Sequence, residues 1–507
     1  MADQNLGRTG RLAGGPAVEL VQAGHRIEIE HAERLAGALS LSDLAHAVAL
    51  VETGALDAVT ASGLTGGLLE LHDIPPAQFP WDPQRGDAFN SREHELRRRV
   101  GASSSGWLTA GRPRREAFRV ALRLVARAQT LDLQDALLDA ASALADQAER
   151  HAEDLAADYT YLQPAQPTTI GHLLIGYAQP LVRDAARLRR VHAWLDTSVA
   201  GVGGSAGSRW PIDRVRLAEL LGCEDVARHT KDAMWAADGY AELAASVAIA
   251  LSGLSQLAQD LEILCSREFG AVELADAHSR QSDLMPQKKN PYALAVIRAA
   301  AAEAAGAVTA ILTALHTGSA RTDHYQVLNG AIPRLLESGL ATANLAAGVL
   351  GGMTIDTDRM AQAAHDGFTV AADVADVVAV EAGIDYRTSH TIVGRAVRAL
   401  AEQGRPPVEL TAGLLRDVAQ EVIGASVTIG DGAIANALDP QACVRARTQV
   451  GATTPDEIAG MIDDVRSTVA EGHTWSDAAR RRTALATDRL LTRAREMARG
   501  ADAGGDH

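Results

Sequence analysis

Apolar residues recur at three- and four-residue steps along most of this chain. Ala117, Val120, Ala121, Leu124, Ala128 and Leu131 fall on one stripe, with Arg119, Arg123 and Arg127 on another face. That spacing predicts a helix with one side turned inward. Leu243, Val247, Leu251, Leu254, Ala258, Leu261 and Cys265 keep the same period for about six turns. Segment 292–316 is apolar nearly all round, which predicts burial on every side. A helix so long and so apolar needs neighbours from other chains, so the pattern predicts a multi-subunit helical bundle.

Breaks in the pattern predict three units. From about 30 to 112, short helical stretches alternate with breaks such as Asp73-Ile74-Pro75-Pro76, and residues 1–30 show no steady period and read as partly loose. Long helices dominate after Pro113. From about 366 shorter helices return, interrupted at Gly404-Arg405-Pro406-Pro407 and around Gly430-Asp431-Gly432. The expected division is an N-terminal helical domain (1–112), a central long-helix domain (113–365), and a C-terminal helical domain (366–507) with a disordered tail. The fold class is all-α.

Composition supports helices over sheets. Hydrophobic residues make up 47% of the chain but aromatics only 4%, so the cores are built from Ala, Leu and Val. A net charge of −16 without a basic block argues against nucleic acid and anionic membrane surfaces as partners. Cys223, Cys265 and Cys443 have neither pairing nor metal-ligand spacing, so they read as free thiols of a cytoplasmic protein, with no metal and no cofactor expected. The start carries no charged-then-apolar leader. The apolar stretches near 241–265 and 291–315 are interrupted by Glu242, Gln256, Asp260, Arg298 and Glu303 and read as core helices, not membrane spans.

Chemistry concentrates at Ser282-Asp283-Leu284-Met285-Pro286-Gln287-Lys288-Lys289-Asn290-Pro291. Pro286 prevents a helix through that point, and a helical pattern begins after Pro291. A hydroxyl on a loop is thus followed by Lys288 and Asn290 at a helix start, where free N–H groups and partial positive charge suit a carboxylate.

Met285 to Pro291 resembles the signature of the aspartase/fumarase superfamily, and its Gln-Lys-Lys form resembles argininosuccinate lyases. Tyr159-Thr160-Tyr161-Leu162-Gln163-Pro164-Ala165-Gln166-Pro167 with Gly171-His172 resembles a second family segment, and Leu438 to Pro455 resembles the argininosuccinate lyase tail. The resemblance implies a three-domain fold, a homotetramer with a central bundle, and active sites each built from three subunits. It implies β-elimination through an aci-carboxylate intermediate, releasing fumarate from an N-substituted succinate. Ser282 matches the family base, and Lys288 and Asn290 match the positions that hold the developing charge. Thr160, Gln163, Arg112, Arg115, Arg321 and Gln326 fall in the substrate-holding segments.

Departures from the family pattern are equally specific. Tyr161 stands where the family has a His, and Ala295 where it has the Glu paired with that His, so both members of the pair are absent together. Tyr161, His278 and His324 are candidates to protonate the leaving group. Arg115 replaces an Asn, Ala237 an Arg, Arg321 a Tyr and Asn329 a Lys. Arg115 and Arg321 either grip a dicarboxylate or form salt bridges with Glu116 or Asp323. The succinyl-end residues persist while the amine end changes. This leaves open argininosuccinate, another N-substituted succinate, a cycloisomerase of the same superfamily, or a non-catalytic structural relative.

Overall fold

The computed structural model describes residues 14–318 and 320–500. Five long helices form the main body: α1 (Arg114–Arg150), α2 (Ile170–Leu195), α3 (Asp238–Leu264), α4 (Tyr292–Ala314) and α5 (Asp323–Gly352). Their inward stripes merge with the helices of residues 32–105 into one continuous core of Ala, Leu and Val. A second core lies within residues 374–437. The last helix, α6 (Pro455–Arg499), returns to the main body, where Arg480 pairs with Asp135 and Asp132 on α1, and Arg466 with Asp146 and Glu149. The expected C-terminal domain is therefore split between two cores.

The protein is all-α apart from short paired strands. The largest pair is β1 (Leu155–Thr160) with β2 (Gln163–Thr169). A smaller pair, β3 (Arg280–Gln281) with β4 (Lys289–Asn290), carries the sequence motif.

Two expectations change. Residues 18–30 are helical and include a π-turn at Val21–His25; residues 1–13 and 501–507 lie outside the described residues. Segment 292–316 is not buried on every side within one chain: Tyr292, Val296 and Leu312 on α4 are exposed, because no other element among the described residues covers that face. By length and apolar content, Ala32–Glu52, α3 and α4 each reach what a bilayer crossing needs. The first is mostly covered inside the protein, and α4 carries Arg298, ion-paired to Glu262 on α3.

The stripe of Arg119, Arg123 and Arg127 is buried, not solvated. Arg119 donates to the Met234 carbonyl, Arg123 to those of Trp194 and Thr197, and Arg127 to Asp196 and to the Leu221 carbonyl. These guanidinium forks tie α1 to the C-terminal end of α2 and to the short elements that follow it.

Candidate active site

The arm of residues 18–30 lies across the N-terminal ends of α1 and α5 and roofs a cavity of about 120 Å³. Arg115 and Gln326 both line it, together with Glu28, His31, Arg119 and Asn329. Gly330 brings arm and helix together, since a Cβ there would lie 2.3 Å from His31 Nε2. Gln326 Nε2 donates to Glu28 Oε1 at 3.3 Å. Burial, and then the nearby Asp87, push the Glu28 carboxyl above its ordinary range. Asp87 itself is taken by Arg114 at 2.7 Å. Arg119 lies beneath, 3.0 Å from the Tyr325 ring centroid, and burial pulls its guanidinium down to about 10.

Arg115 forms no ion pair among the described residues and leans towards Trp235, 5.9 Å from the ring centroid. Its suggested partner Glu116 is turned inward, accepting from the backbone N–H of Gly201 at 2.6 Å and of Gly203 at 2.9 Å. Arg321 is exposed against Gly318, outside this cavity, and forms no ion pair with Asp323 among the described residues. Arg112 is corrected outright. Its guanidinium is buried, donating to the Ser42 carbonyl at 3.0 Å and pairing with Asp43, which also binds Arg92 at 2.9 Å. It ties the N-terminal helices together and does not hold substrate.

Tyr161 and Leu162 form the tip of the β1–β2 hairpin, with φ of 53° and 58°. Positive φ at both central residues is what a tight two-residue hairpin demands, normally met by Asn-Gly. Tyr-Leu there costs about 1–2 kcal/mol per residue, strain of the kind found at functional sites. Thr160, Tyr161 and Gln163 are all exposed, and the Tyr161 side chain is fully so.

Ser282 opens the loop between β3 and β4. Its Oγ accepts from the Met285 backbone N–H at 3.0 Å, and Lys288 N–H closes onto the Met285 carbonyl at 3.0 Å. Asn290 Nδ2 donates to the Arg280 carbonyl at 2.9 Å, fixing the strand that leads into α4. Lys289 is taken by Glu273 and Asp276, whereas Lys288 is exposed. Helix α4 starts at Tyr292 with no side-chain cap, leaving its first N–H groups open beside the loop.

One chain does not unite these parts. His278, at the root of the loop, packs against Gly348 and Gly352 at the C-terminal end of α5. Gln326 is at the other end, and the 22 residues from 326 to 348 span about 33 Å. The hairpin follows the C-terminus of α1, and the 35 residues from Arg115 to Arg150 span about 52 Å. Of the alternative proton donors, His324 is buried beside Tyr325, and burial, then Arg119, lower its imidazole below the ordinary range. His278 is half-buried against α5, its Nδ1 without a hydrogen-bond partner among the described residues.

Sequence reasoning missed Glu28, His31 and Arg119. Glu28 sits between Ile27 and Ile29 with no periodic signal, and its place in the cavity follows only from Gln326, 298 positions away.

Residues 24–306 match a family model described as lyase, and residues 368–445 match one described as argininosuccinate lyase C-terminal. The chain is 33% identical over 498 residues to the argininosuccinate lyase of Methanoculleus marisnigri, covering 97% of this chain and 99% of that one. To the argininosuccinate lyase of Methanothermobacter thermautotrophicus it is 29% identical over 461 residues, covering 91% and 98%. Among solved structures, EDDS lyase in complex with formate superposes with a TM-score of 0.86 at 26% identity, covering 98% of this chain and 99% of that one. A variant of EDDS lyase with bound fumarate superposes equally well.

Proposed function

We propose that this chain, which belongs to the aspartase/fumarase superfamily and is an argininosuccinate lyase-like carbon–nitrogen lyase, releases fumarate from an N-substituted succinate by β-elimination with Ser282 as base. The carbon next to a carboxylate is a very weak acid, so its proton leaves only if the extra charge on the carboxylate meets donors already in place. Lys288 and Asn290, with the open N-terminus of α4, are those donors. Ser282 Oγ takes the proton. The observation that carries this role is the Met285 N–H aimed at Ser282 Oγ, a donor that favours the deprotonated hydroxyl. Thr160, Gln163 and Gln326 hold the succinyl carboxylates, and Tyr161 returns a proton to the departing nitrogen. The strained, exposed hairpin tip suits a group that must reach into another copy.

The assembly in this reading is a cytoplasmic homotetramer, with each site shared between copies. The separation of about 33 Å between the loop root and Gln326 within one chain supports this. So does the uncovered apolar face of α4, which a bundle of copies would bury.

A second reading, that the leaving amine is not arginine-derived, is favoured by the likeness to EDDS lyase, whose overall structure is close to this one and which is named for a different adduct. Incubation with argininosuccinate and with other N-substituted succinates, followed by the ultraviolet absorbance of fumarate, tests the proposal. Fumarate from at least one of them, absent in Ser282→Ala, is expected. Silence across the whole series would refute it.

A further inference from the structure

A second cavity, of about 360 Å³, lies beneath the β1–β2 hairpin, between the N-terminal end of α2 and the C-terminal end of α3. Most of its wall is leucine, isoleucine and methionine. Four aromatic residues join them, although aromatics make up only 4% of the chain. Tyr159 and Phe269 meet edge to face with ring centroids 5.8 Å apart, Tyr177 comes from α2, and the exposed Tyr161 stands at the mouth. Two carboxylates, Asp158 and Asp260, line the same cavity. Each meets only a neutral donor: Asp260 accepts from the Tyr177 hydroxyl, and Asp158 from the Tyr159 backbone N–H at 2.9 Å. Neither forms an ion pair among the described residues, and no Lys, Arg or His among them lines the cavity. Burial first, and then Asp260 and Asp158, push the Tyr177 phenol above its ordinary range, so both carboxylates act on this one hydroxyl.

We propose that this cavity is a binding site for an organic cation, an alkyl- or arylammonium, whose hydrocarbon body fills the apolar part while Asp158 and Asp260 take the charge. Ligand pockets span ~300–1,000 Å³ and combine an apolar lining with a few placed polar groups, the pattern present here. A neutral apolar molecule would cover the two carboxylates without matching them, and an anion would meet two like charges. An ammonium matches both, and aromatic rings within reach of a cation add to its binding. The cavity holds no residue of the Ser282 loop or of the arm, so the site does not depend on the lyase reading. The hairpin forms one wall, so an occupant touches the element that carries Thr160 and Tyr161.

The test is titration calorimetry of the assembled, full-length protein with n-hexylammonium, 1-hexanol and n-hexanoate, which share a hydrocarbon body and differ in charge. At about pH 8 the amine is protonated and the acid ionised. Hexylammonium is expected to bind at one site per chain, about tenfold or more tighter than hexanol, with hexanoate the weakest. Asp260→Asn keeps an acceptor for the Tyr177 hydroxyl. It lowers hexylammonium affinity by about tenfold or more and leaves hexanol unchanged, and Asp158→Asn does the same. Equal affinity for hexylammonium and hexanol, or Asn variants that bind hexylammonium as wild type does, would make this a plain apolar void and overturn the assignment. Binding of none of the three would mean that another copy covers the cavity in the assembly, which overturns it equally. Because the readout is binding and not fumarate, either failure leaves the lyase reading standing.

Discussion

The two ends of the bundle are built on opposite principles. At the arm end, Glu28, Arg115, Arg119 and Gln326 are gathered from three parts of one chain around a half-open cavity, with Arg119 buried and Arg115 and Gln326 exposed. At the far end, the β3–β4 loop and the β1–β2 hairpin present their side chains outward: Lys288 and Tyr161 are exposed, and Leu284 in the same loop as Lys288 is 85% exposed. Folding within one chain completes the first region and only poses the second. On the proposed function, the cavity end can thus be read from a single chain, whereas the elimination chemistry cannot.

Three perturbations sharpen this contrast. Ser282→Ala removes the proposed base from an exposed loop, so fumarate release is expected to fall by about 10²–10⁴-fold, while urea unfolding shifts by no more than about 0.5 kcal/mol. A comparable loss of stability would mean that Ser282 is structural. Arg112→Ala does the reverse. It breaks a buried Arg–Asp–Arg cluster and costs about 3–5 kcal/mol in the same unfolding assay, with KM unaffected at a temperature where the variant stays folded. A KM effect without destabilisation would return Arg112 to the substrate.

The smallest effect concerns His192, buried in the interior that both ends share. Burial first, then Arg127 and Arg482, lower its imidazole from 6.5 to about 3. The folded state therefore takes up this proton less readily than the unfolded chain. Its contribution to stability is fully present above about pH 6.5 and is lost as pH falls below that. At pH 5 the loss approaches ~2 kcal/mol. Unfolding of His192→Gln should show that much less dependence between pH 6.5 and 5, and an unchanged slope would contradict the burial of a neutral ring.

What could be read in advance follows from where the information lies in the chain. The loop was legible because Ser282 to Pro291 is one contiguous run, and the long helices because their period repeats over many turns. The arginine stripe on α1 was not, since Arg119, Arg123 and Arg127 bind carbonyls 70 or more positions away, and a buried fork has the same spacing as a solvated one. Arg112 deceived for the same reason, with Asp43 lying 69 positions back. The all-round apolar pattern of 292–316 was legible only as a demand for neighbours, and a single chain meets half of it.

The shared site is tested most directly by mixing two inactive variants, Ser282→Ala and Gln326→Ala, after dissociation and reassembly. With loop and cavity drawn from different copies, some sites in the mixed oligomers receive both intact halves, so fumarate release reappears although neither parent shows any. If the mixture stays as silent as its parents while co-assembly is verified, each chain carries its own complete site and the account is contradicted.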